Sequence, residues 1–119
     1  MKGSILKDTS YSFAIRIVKL GKFLRDEKKE FILSKQIVKS GTSIGANIEE
    51  ASGAQSQNDF IAKLHISLKE AHETQFWIRL LRDCDYIDSK QADSLLNDVN
   101  HLLVLLTKSL KTAKSNKSS

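Results

Sequence analysis

Glutamates on two candidate helices are the residues of this sequence best suited to acid–base or metal chemistry. Glu49 and Glu50 end one candidate helix, and Glu70 and Glu73 lie one turn apart on the next. A di-iron centre in a helix bundle needs Glu-x-x-His, so that a carboxylate and an imidazole share a turn. The residues three positions after these glutamates are Ser, Gly, Glu and Phe. The spacing therefore gives no support to a carboxylate-based metal enzyme.

Motifs for nucleophiles and nucleotides are missing as well. The sequence contains no Gly-x-Ser-x-Gly, no phosphate-binding P-loop and no Gly-x-Gly-x-x-Gly. The segment 41–45 has the small residues of a phosphate loop, but no Gly-Lys-Ser/Thr follows it. His65 and His72 share a helix face without a third ligand in register for zinc. We therefore predict no enzymatic activity, no metal and no cofactor.

A row of polar side chains flanks the apolar side of the second candidate helix. By the 100° step of an α-helix, its members lie within roughly 60° of each other around the axis. Such a row can fix helix register through hydrogen bonds, form a binding surface, or form a catalytic patch. Asn47 and Glu50 could meet Glu70 or Glu73 across a helix seam, where burial would raise the pKa of at least one carboxyl group. The row consists of Gln36, Ser43, Asn47 and Glu50.

Charge is unevenly distributed along the chain. Residues 1–45 carry ten Lys/Arg against four Asp/Glu, residues 46–104 carry five against ten, and residues 105–119 carry four lysines and no acid. Antiparallel helices would bring the two basic parts together into a positive surface, which attracts phosphate polymers or simply keeps the protein in solution. The candidate nucleic-acid-binding residues are Lys22, Arg25, Lys29, Lys108, Lys111 and Lys114.

These residues must be positioned by helices. The chain has no proline and only five glycines, and apolar residues recur every three to four positions in four separate segments. Gly41 and Gly45 inside the second segment predict a close backbone approach or a local break. We predict one domain over 1–119, an all-α antiparallel up-and-down four-helix bundle, with a disordered basic tail from about 112. The predicted helices span about 8–28, 30–52, 56–82 and 89–112.

Helices one and three carry more apolar surface than one small bundle can cover. Ile15 and Val18 lie outside the main stripe of helix one, and helix three has a second stripe that mixes polar and apolar residues. We therefore predict self-association. The predicted interface contains Ile66, Trp77 and Leu80, with Trp77 near its centre because large aromatic side chains anchor such interfaces.

No segment of the sequence is suited to a membrane or to a disulfide. The longest uninterrupted apolar run, 102–106, is far shorter than the roughly 20 residues that span a bilayer. Cys84 is the single cysteine, which suits a reducing compartment. We expect a cytoplasmic protein without a membrane partner.

Three segments together resemble a known family. They are 36–51 (QIVKSGTSIGANIEEA), Asp59-Phe60, and 69–77 (KEAHETQFW). They resemble the bacterial four-helix-bundle proteins encoded by intervening sequences in large-subunit ribosomal RNA genes, and the similarity covers roughly 12–106. Many members have glycine where this chain has Ala51, and a common Leu-Gly-Tyr-Ile connection reads Cys-Asp-Tyr-Ile at 84–87, which indicates a subgroup.

The resemblance implies a homopentameric ring of bundles. It also implies a relation to accessory proteins of the reverse transcriptases in diversity-generating retroelements, which bind RNA and the polymerase through a basic surface. From the charge pattern and the resemblance we predict a non-enzymatic homo-oligomer that contacts structured RNA or a nucleic-acid enzyme. The alternative is a protein-interaction scaffold without a nucleic-acid role. The motif positions carried over from the family are Ser43, Asn47, Glu50, Glu70 and Glu73.

Overall fold

The computed structural model describes residues 4–118, and these residues form four α-helices joined by short connections. The helices are α1 (Ser4–Asp26), α2 (Leu33–Ser52), α3 (Gln57–Asp83) and α4 (Ser89–Ser118). No β-strand occurs between residues 4 and 118. The helices form a rod measuring 51 × 21 × 20 Å, in which each helix packs against its neighbours in sequence and α4 returns to α1 through a smaller contact. The predicted all-α four-helix bundle is confirmed.

Contacts between helices define two ends of the rod. At the terminal end, Lys7 near the start of α1 lies 3.4 Å from Glu49 near the end of α2. Gln57 at the start of α3 donates a hydrogen bond to the carbonyl oxygen of Ala113, late in α4, at the same end. The distal end holds the other two loops, 27–32 and 84–88. Successive helices therefore run in opposite directions.

The core is one continuous apolar cluster, to which every helix contributes positions spaced three and four apart. In α1 the buried side chains include Phe13, Ile17, Leu20 and Leu24, as the sequence predicts. The longest buried stripe belongs to α4. It consists of Ala92, Leu95, Val99, Leu102, Leu106 and Leu110.

Three helix ends differ from the sequence-based prediction by three residues or more, and one of them is the start of α2, at Leu33 instead of about 30. α1 begins at Ser4 rather than at residue 8, so Ser10 lies inside the helix, where it is buried and donates to the carbonyl oxygen of Lys7. The predicted disordered tail from about 112 is wrong, because α4 continues to Ser118. The reason is that the last turns of α4 still bury apolar surface, and Ala113 is only 4% exposed.

Polar side chains cap three of the helices. The Ser56 hydroxyl accepts a hydrogen bond from the Asp59 amide of α3, and the Asp88 carboxylate accepts one from the Gln91 amide of α4. The sequence-based prediction missed Glu30, whose buried carboxylate accepts from the amide of Ser34 at 2.8 Å and so caps α2.

Candidate nucleic-acid interface

The six predicted cations form two groups at opposite ends of the rod. Lys22, Arg25 and Lys29 lie at the distal end, where Phe23 of α1 lines the same hollow as Tyr86. The three predicted lysines of α4 lie at the terminal end instead. At 1.5 Å per residue, the two groups are separated by roughly 25–40 Å along the axis. The expectation of one joint positive surface is wrong, because α1 runs away from the terminal end before it reaches its basic residues.

The distal group is nearly balanced by acids. Lys22 pairs with Asp26 one turn later, with 3.2 Å between the charged atoms. Glu27 follows in the same turn, and Glu30 follows in the loop. Lys29 adopts a left-handed backbone conformation with φ of 53°, which prevents α1 from continuing beyond this point. A phosphate polymer would meet little net positive charge at this end.

The segment that carries the terminal group differs in composition, since it contains lysines and no Asp or Glu. Lys108, Lys111, Lys114 and Lys117 are all exposed on the last three turns of α4, and residues 105–119 include no acid. Cations near a helix C-terminus also interact favourably with the partial negative charge of its free carbonyl groups. A cleft of about 640 Å³ opens beside these lysines, with Leu6, Phe60 and Ala113 among its lining residues. We term the four lysines the α4 lysine group.

The polar row of α2 lies along the junction between α2 and α3. We term this junction, with the four side chains of the row and the two glutamates of α3, the polar seam. The Ser43 hydroxyl donates to the carbonyl oxygen of Lys39, and the Asn47 amide group donates to that of Ser43. Glu50 pairs across the seam with Lys63 at 3.2 Å, not with Glu70 or Glu73 as predicted. The side chains of the seam are Gln36, Ser43, Asn47, Glu50, Glu70 and Glu73.

Glu70 is the carboxyl group of the seam with a perturbed pKa. Partial burial raises its pKa first, and the charge of Glu73 and a hydrogen bond shared with Glu73 add to that effect. Lys69 and Lys39 oppose the rise without cancelling it. This rise does not come from the contact with Asn47 or Glu50 that the sequence suggested, because Glu50 pairs with Lys63 instead.

Buried hydroxyl groups beneath the seam join α2 to α3. The hydroxyl oxygens of Ser40 and Thr74 lie 2.9 Å apart, and the Ser67 hydroxyl donates to the carbonyl oxygen of Ile44 at 2.8 Å. All three hydroxyl-bearing residues are fully buried. Register control was one of three roles that the sequence left open for the outer polar row, whereas these buried bonds cross the interface between α2 and α3 directly. The sequence signal that could have indicated these buried bonds is the presence of small polar residues within an apolar stripe.

The predicted interface residues lie along the same seam but differ in how far their side chains are exposed to solvent. Ile66 is 42% exposed, whereas Trp77 and Leu80 are half-buried, and Trp77 packs against the bundle's own core. The ring of Phe76 meets the Trp77 ring edge-on, with 5.1 Å between centroids. The indole Nε1 of Trp77 is buried, and within residues 4–118 no acceptor lies in reach of it.

The α4 lysine group and the polar seam carry side chains suited to contacts with other molecules. No cluster of three or more His, Cys, Asp or Glu side chains capable of holding a metal ion is found in the described part of the chain. None of the helices between residues 4 and 118 is long and apolar enough to cross a lipid bilayer. The α4 lysine group can contact phosphates, and the seam with its flanking apolar residues can accept another helix.

Comparisons with known proteins point to one family. A family model described as 23S rRNA-intervening sequence protein matches residues 3–108. The structure is similar to the crystal structure, at 1.70 Å resolution, of a protein of unknown function from the S23 ribosomal protein family of Bacteroides thetaiotaomicron VPI-5482. The two chains share 54% sequence identity with a TM-score of 0.91, over 93% of this chain and 99% of the other. A search of curated proteins gave no significant match.

Proposed function

The chain belongs to the family of 23S rRNA-intervening sequence proteins, and we propose that it is a non-enzymatic, cytoplasmic accessory protein that binds structured RNA as a homo-oligomer. The observation that carries this proposal is the α4 lysine group, which is exposed and has no acid in its segment, 105–119. The main RNA contact then lies at the terminal end of the rod. The distal cations have a secondary role because acids surround them.

Lysines of this kind bind phosphates without reading bases. An ammonium group on a flexible stem is a compact point charge, so it contacts the backbone of an RNA helix through electrostatics. Each phosphate that is neutralised releases counterions, and the logarithm of the binding constant falls by about 0.7–0.9 per phosphate for each unit of log salt concentration. The proposed interaction is therefore tight at low salt, weak at high salt and tolerant of sequence.

Self-association would strengthen the interaction. A single copy offers one α4 lysine group, and copies related by an axis parallel to the rods would present their groups on one side. Several weak contacts to one RNA then act together, since every contact after the first is effectively intramolecular. This supports the link between the homo-oligomer and the RNA-binding role.

The experiment that tests the RNA contact compares two charge-reversal variants. One variant carries Lys108→Glu, Lys111→Glu and Lys114→Glu, and the matched control carries Lys22→Glu, Arg25→Glu and Lys29→Glu. Fluorescence anisotropy with a labelled RNA hairpin is measured over a salt series. We expect the α4 variant to lose at least about tenfold in affinity and the slope of log affinity on log salt to fall by about 2 to 3. Equal affinities of the two variants would overturn the proposal.

A protein-interaction scaffold without a nucleic-acid role is the competing function. We propose that a protein partner, such as a reverse transcriptase or another nucleic-acid enzyme, joins the complex through the RNA or beside it. Affinity purification with and without nuclease separates the two functions. Partners lost after nuclease treatment or in high salt agree with the RNA-binding role, and partners retained under both conditions favour the scaffold.

A further inference from the structure

We propose that the outer face of α1 in one copy docks onto the polar seam of a second copy, so that two different surfaces of the chain meet. This inference rests on the proposed homo-oligomer and specifies how its copies contact each other. It follows from three properties of the two surfaces: exposed apolar side chains, opposite charges, and matching lengths.

The outer face of α1 is an apolar stripe without a partner in the single chain. Tyr11, Ile15 and Val18 are spaced four and three apart, and they are 67%, 42% and 51% exposed. Together with Ala14 and Lys19 they line a shallow hollow of about 320 Å³. A stripe of this kind on a surface helix typically marks a site for another protein.

Cations continue the α1 stripe in the same direction. Lys22 lies four residues after Val18, and Arg25 three residues later, so both fall on the same side of the helix. Both side chains are exposed. The outer face of α1 is thus apolar in its first half and basic in its second half.

The polar seam offers apolar side chains and negative charge that complement the outer face of α1. Ile66, Trp77 and Leu80 provide exposed or half-buried apolar surface along α3. Between them, Glu70 and Glu73 share a hydrogen bond, and neither carboxylate forms an ion pair shorter than 4.0 Å with a cation of the described chain. Two adjacent carboxyl groups without a paired cation are stabilised when a partner supplies one.

The two surfaces also match in length. Tyr11 to Arg25 and Ile66 to Leu80 each span 14 residue steps, or about 21 Å along a helix. Both surfaces border α2: α1 contacts one side of α2 through the glycine positions, and α3 contacts the other. They therefore lie on neighbouring sides of the rod and cannot meet within one copy. A contact between two different surfaces adds copies head to tail until a ring closes.

A pair of complementary variants tests this arrangement. The α1 variant carries Tyr11→Glu and Val18→Glu, and the seam variant carries Ile66→Lys and Glu73→Lys. All four positions are exposed, so each variant is expected to keep the fold, and circular dichroism and thermal melting check this. The control is Val104→Glu, which adds one negative charge to an exposed apolar position of α4 outside both surfaces.

The readout is the mass of each protein in solution by light scattering. We expect the wild type and Val104→Glu to be oligomers, and each interface variant alone to be a 13.4 kDa monomer. An equimolar mixture of the two variants retains one intact surface from each copy, so it should form a heterodimer of twice that mass and grow no further.

The possible failures are distinguishable. A monomeric wild type overturns the homo-oligomer and this inference together. An oligomeric wild type whose folded variants remain oligomers, or whose mixed variants remain monomers, overturns only the docking of α1 onto the seam. Variants that associate with themselves but not with each other would assign the interface to a symmetric contact of one surface.

Discussion

The side chain of Ile17 in α1 lies directly over Gly41 in α2. A Cβ atom at position 41 would lie 2.7 Å from Cγ2 of Ile17 and 2.8 Å from its Cγ1, closer than real Cβ atoms approach other carbons. Ile17 is fully buried and branched at Cβ, so it has few rotamers through which to move away. The close packing of α1 on α2 thus depends on the missing side chain of Gly41.

Gly41→Ala is therefore expected to destabilise the protein. Alanine is favoured over glycine in a helix by about 1 kcal/mol, but overpacking a filled core costs about 1–3 kcal/mol, so we expect a net loss. The measurement is the midpoint of urea unfolding. Gly53→Ala is the control, since the nearest atom to a Cβ there is the Glu50 carbonyl oxygen at 3.9 Å. Equal midpoints for the two variants would contradict the expected clash.

The raised pKa of Glu70 predicts a dependence of stability on pH. Because the pKa in the folded protein lies above the ordinary value of 4.5, the folded chain holds this proton more tightly than the unfolded chain. The favourable contribution is fully present below pH 4.5 and is lost as the pH rises through the folded pKa. At neutral pH the ionised Glu70 is left beside Glu73.

In the monomeric Tyr11→Glu, Val18→Glu background, where no second copy supplies a cation, Glu70→Gln is therefore expected to stabilise the protein at pH 7 and to leave it unchanged near pH 4. A gain of about 0.2–0.5 kcal/mol is typical when a like-charged pair three residues apart on a helix is removed. Chemical unfolding at both pH values measures the difference between the variant and this background. The control is Glu49→Gln, which removes a carboxylate paired with Lys7 and should bring no gain. A pH-independent effect of Glu70→Gln would contradict the assigned cause.

The start of α4 depends on a reciprocal cap. The Asp88 carboxylate accepts from the Gln91 amide at 2.7 Å, and the Gln91 side chain accepts from the Asp88 amide at 3.3 Å. Asp88→Ala is expected to lower the free energy of unfolding by about 1 kcal/mol, whereas Asp88→Asn keeps the acceptor and should be close to neutral. Thermal unfolding of both variants checks this, and a similar loss for both would assign the effect to charge instead of capping.

Helix positions could be predicted from the sequence because apolar residues recur every three to four positions in all four helices. The buried side chains of α1 and α4 follow this spacing. The end of α4 was not predictable from the same signal. Lys and Ser residues dominate there, and the burial of Ala113 depends on how far α3 and the first turn of α1 extend beside it. A local pattern cannot contain that information.

The candidate surfaces were less predictable than the fold. The cations of the two chain ends were assigned to one surface from composition, whereas the direction of α1 separates Lys22 from Lys108. Helical spacing places the seam residues of each helix on one side of that helix. Their individual partners depend on side-chain rotamers and on the axial offset between the helices. For this reason Glu50 meets Lys63 and not Glu70.

The hydroxyl pair of Ser40 and Thr74 predicts a measurable coupling between α2 and α3. The two oxygens lie 2.9 Å apart in a fully buried site, where a net hydrogen bond contributes about 0.5–1.5 kcal/mol. In a double-mutant cycle with Ser40→Ala and Thr74→Val, the double variant should be destabilised by less than the sum of the single variants, with a difference of that size. Thr107→Val is the control partner.

The Thr107 hydroxyl is exposed and donates within α4 to the Leu103 carbonyl oxygen, so it shares no bond with Thr74. Combined with Thr74→Val, it should give additive losses within about 0.3–0.5 kcal/mol. Urea unfolding at constant pH supplies all the required free energies. Additive losses for Ser40→Ala and Thr74→Val would mean that the bond between these hydroxyl groups does not hold the register of α2 against α3. Each hydroxyl group would then be satisfied within its own helix. For Thr74 the partner is the Glu70 carbonyl oxygen, at 2.7 Å.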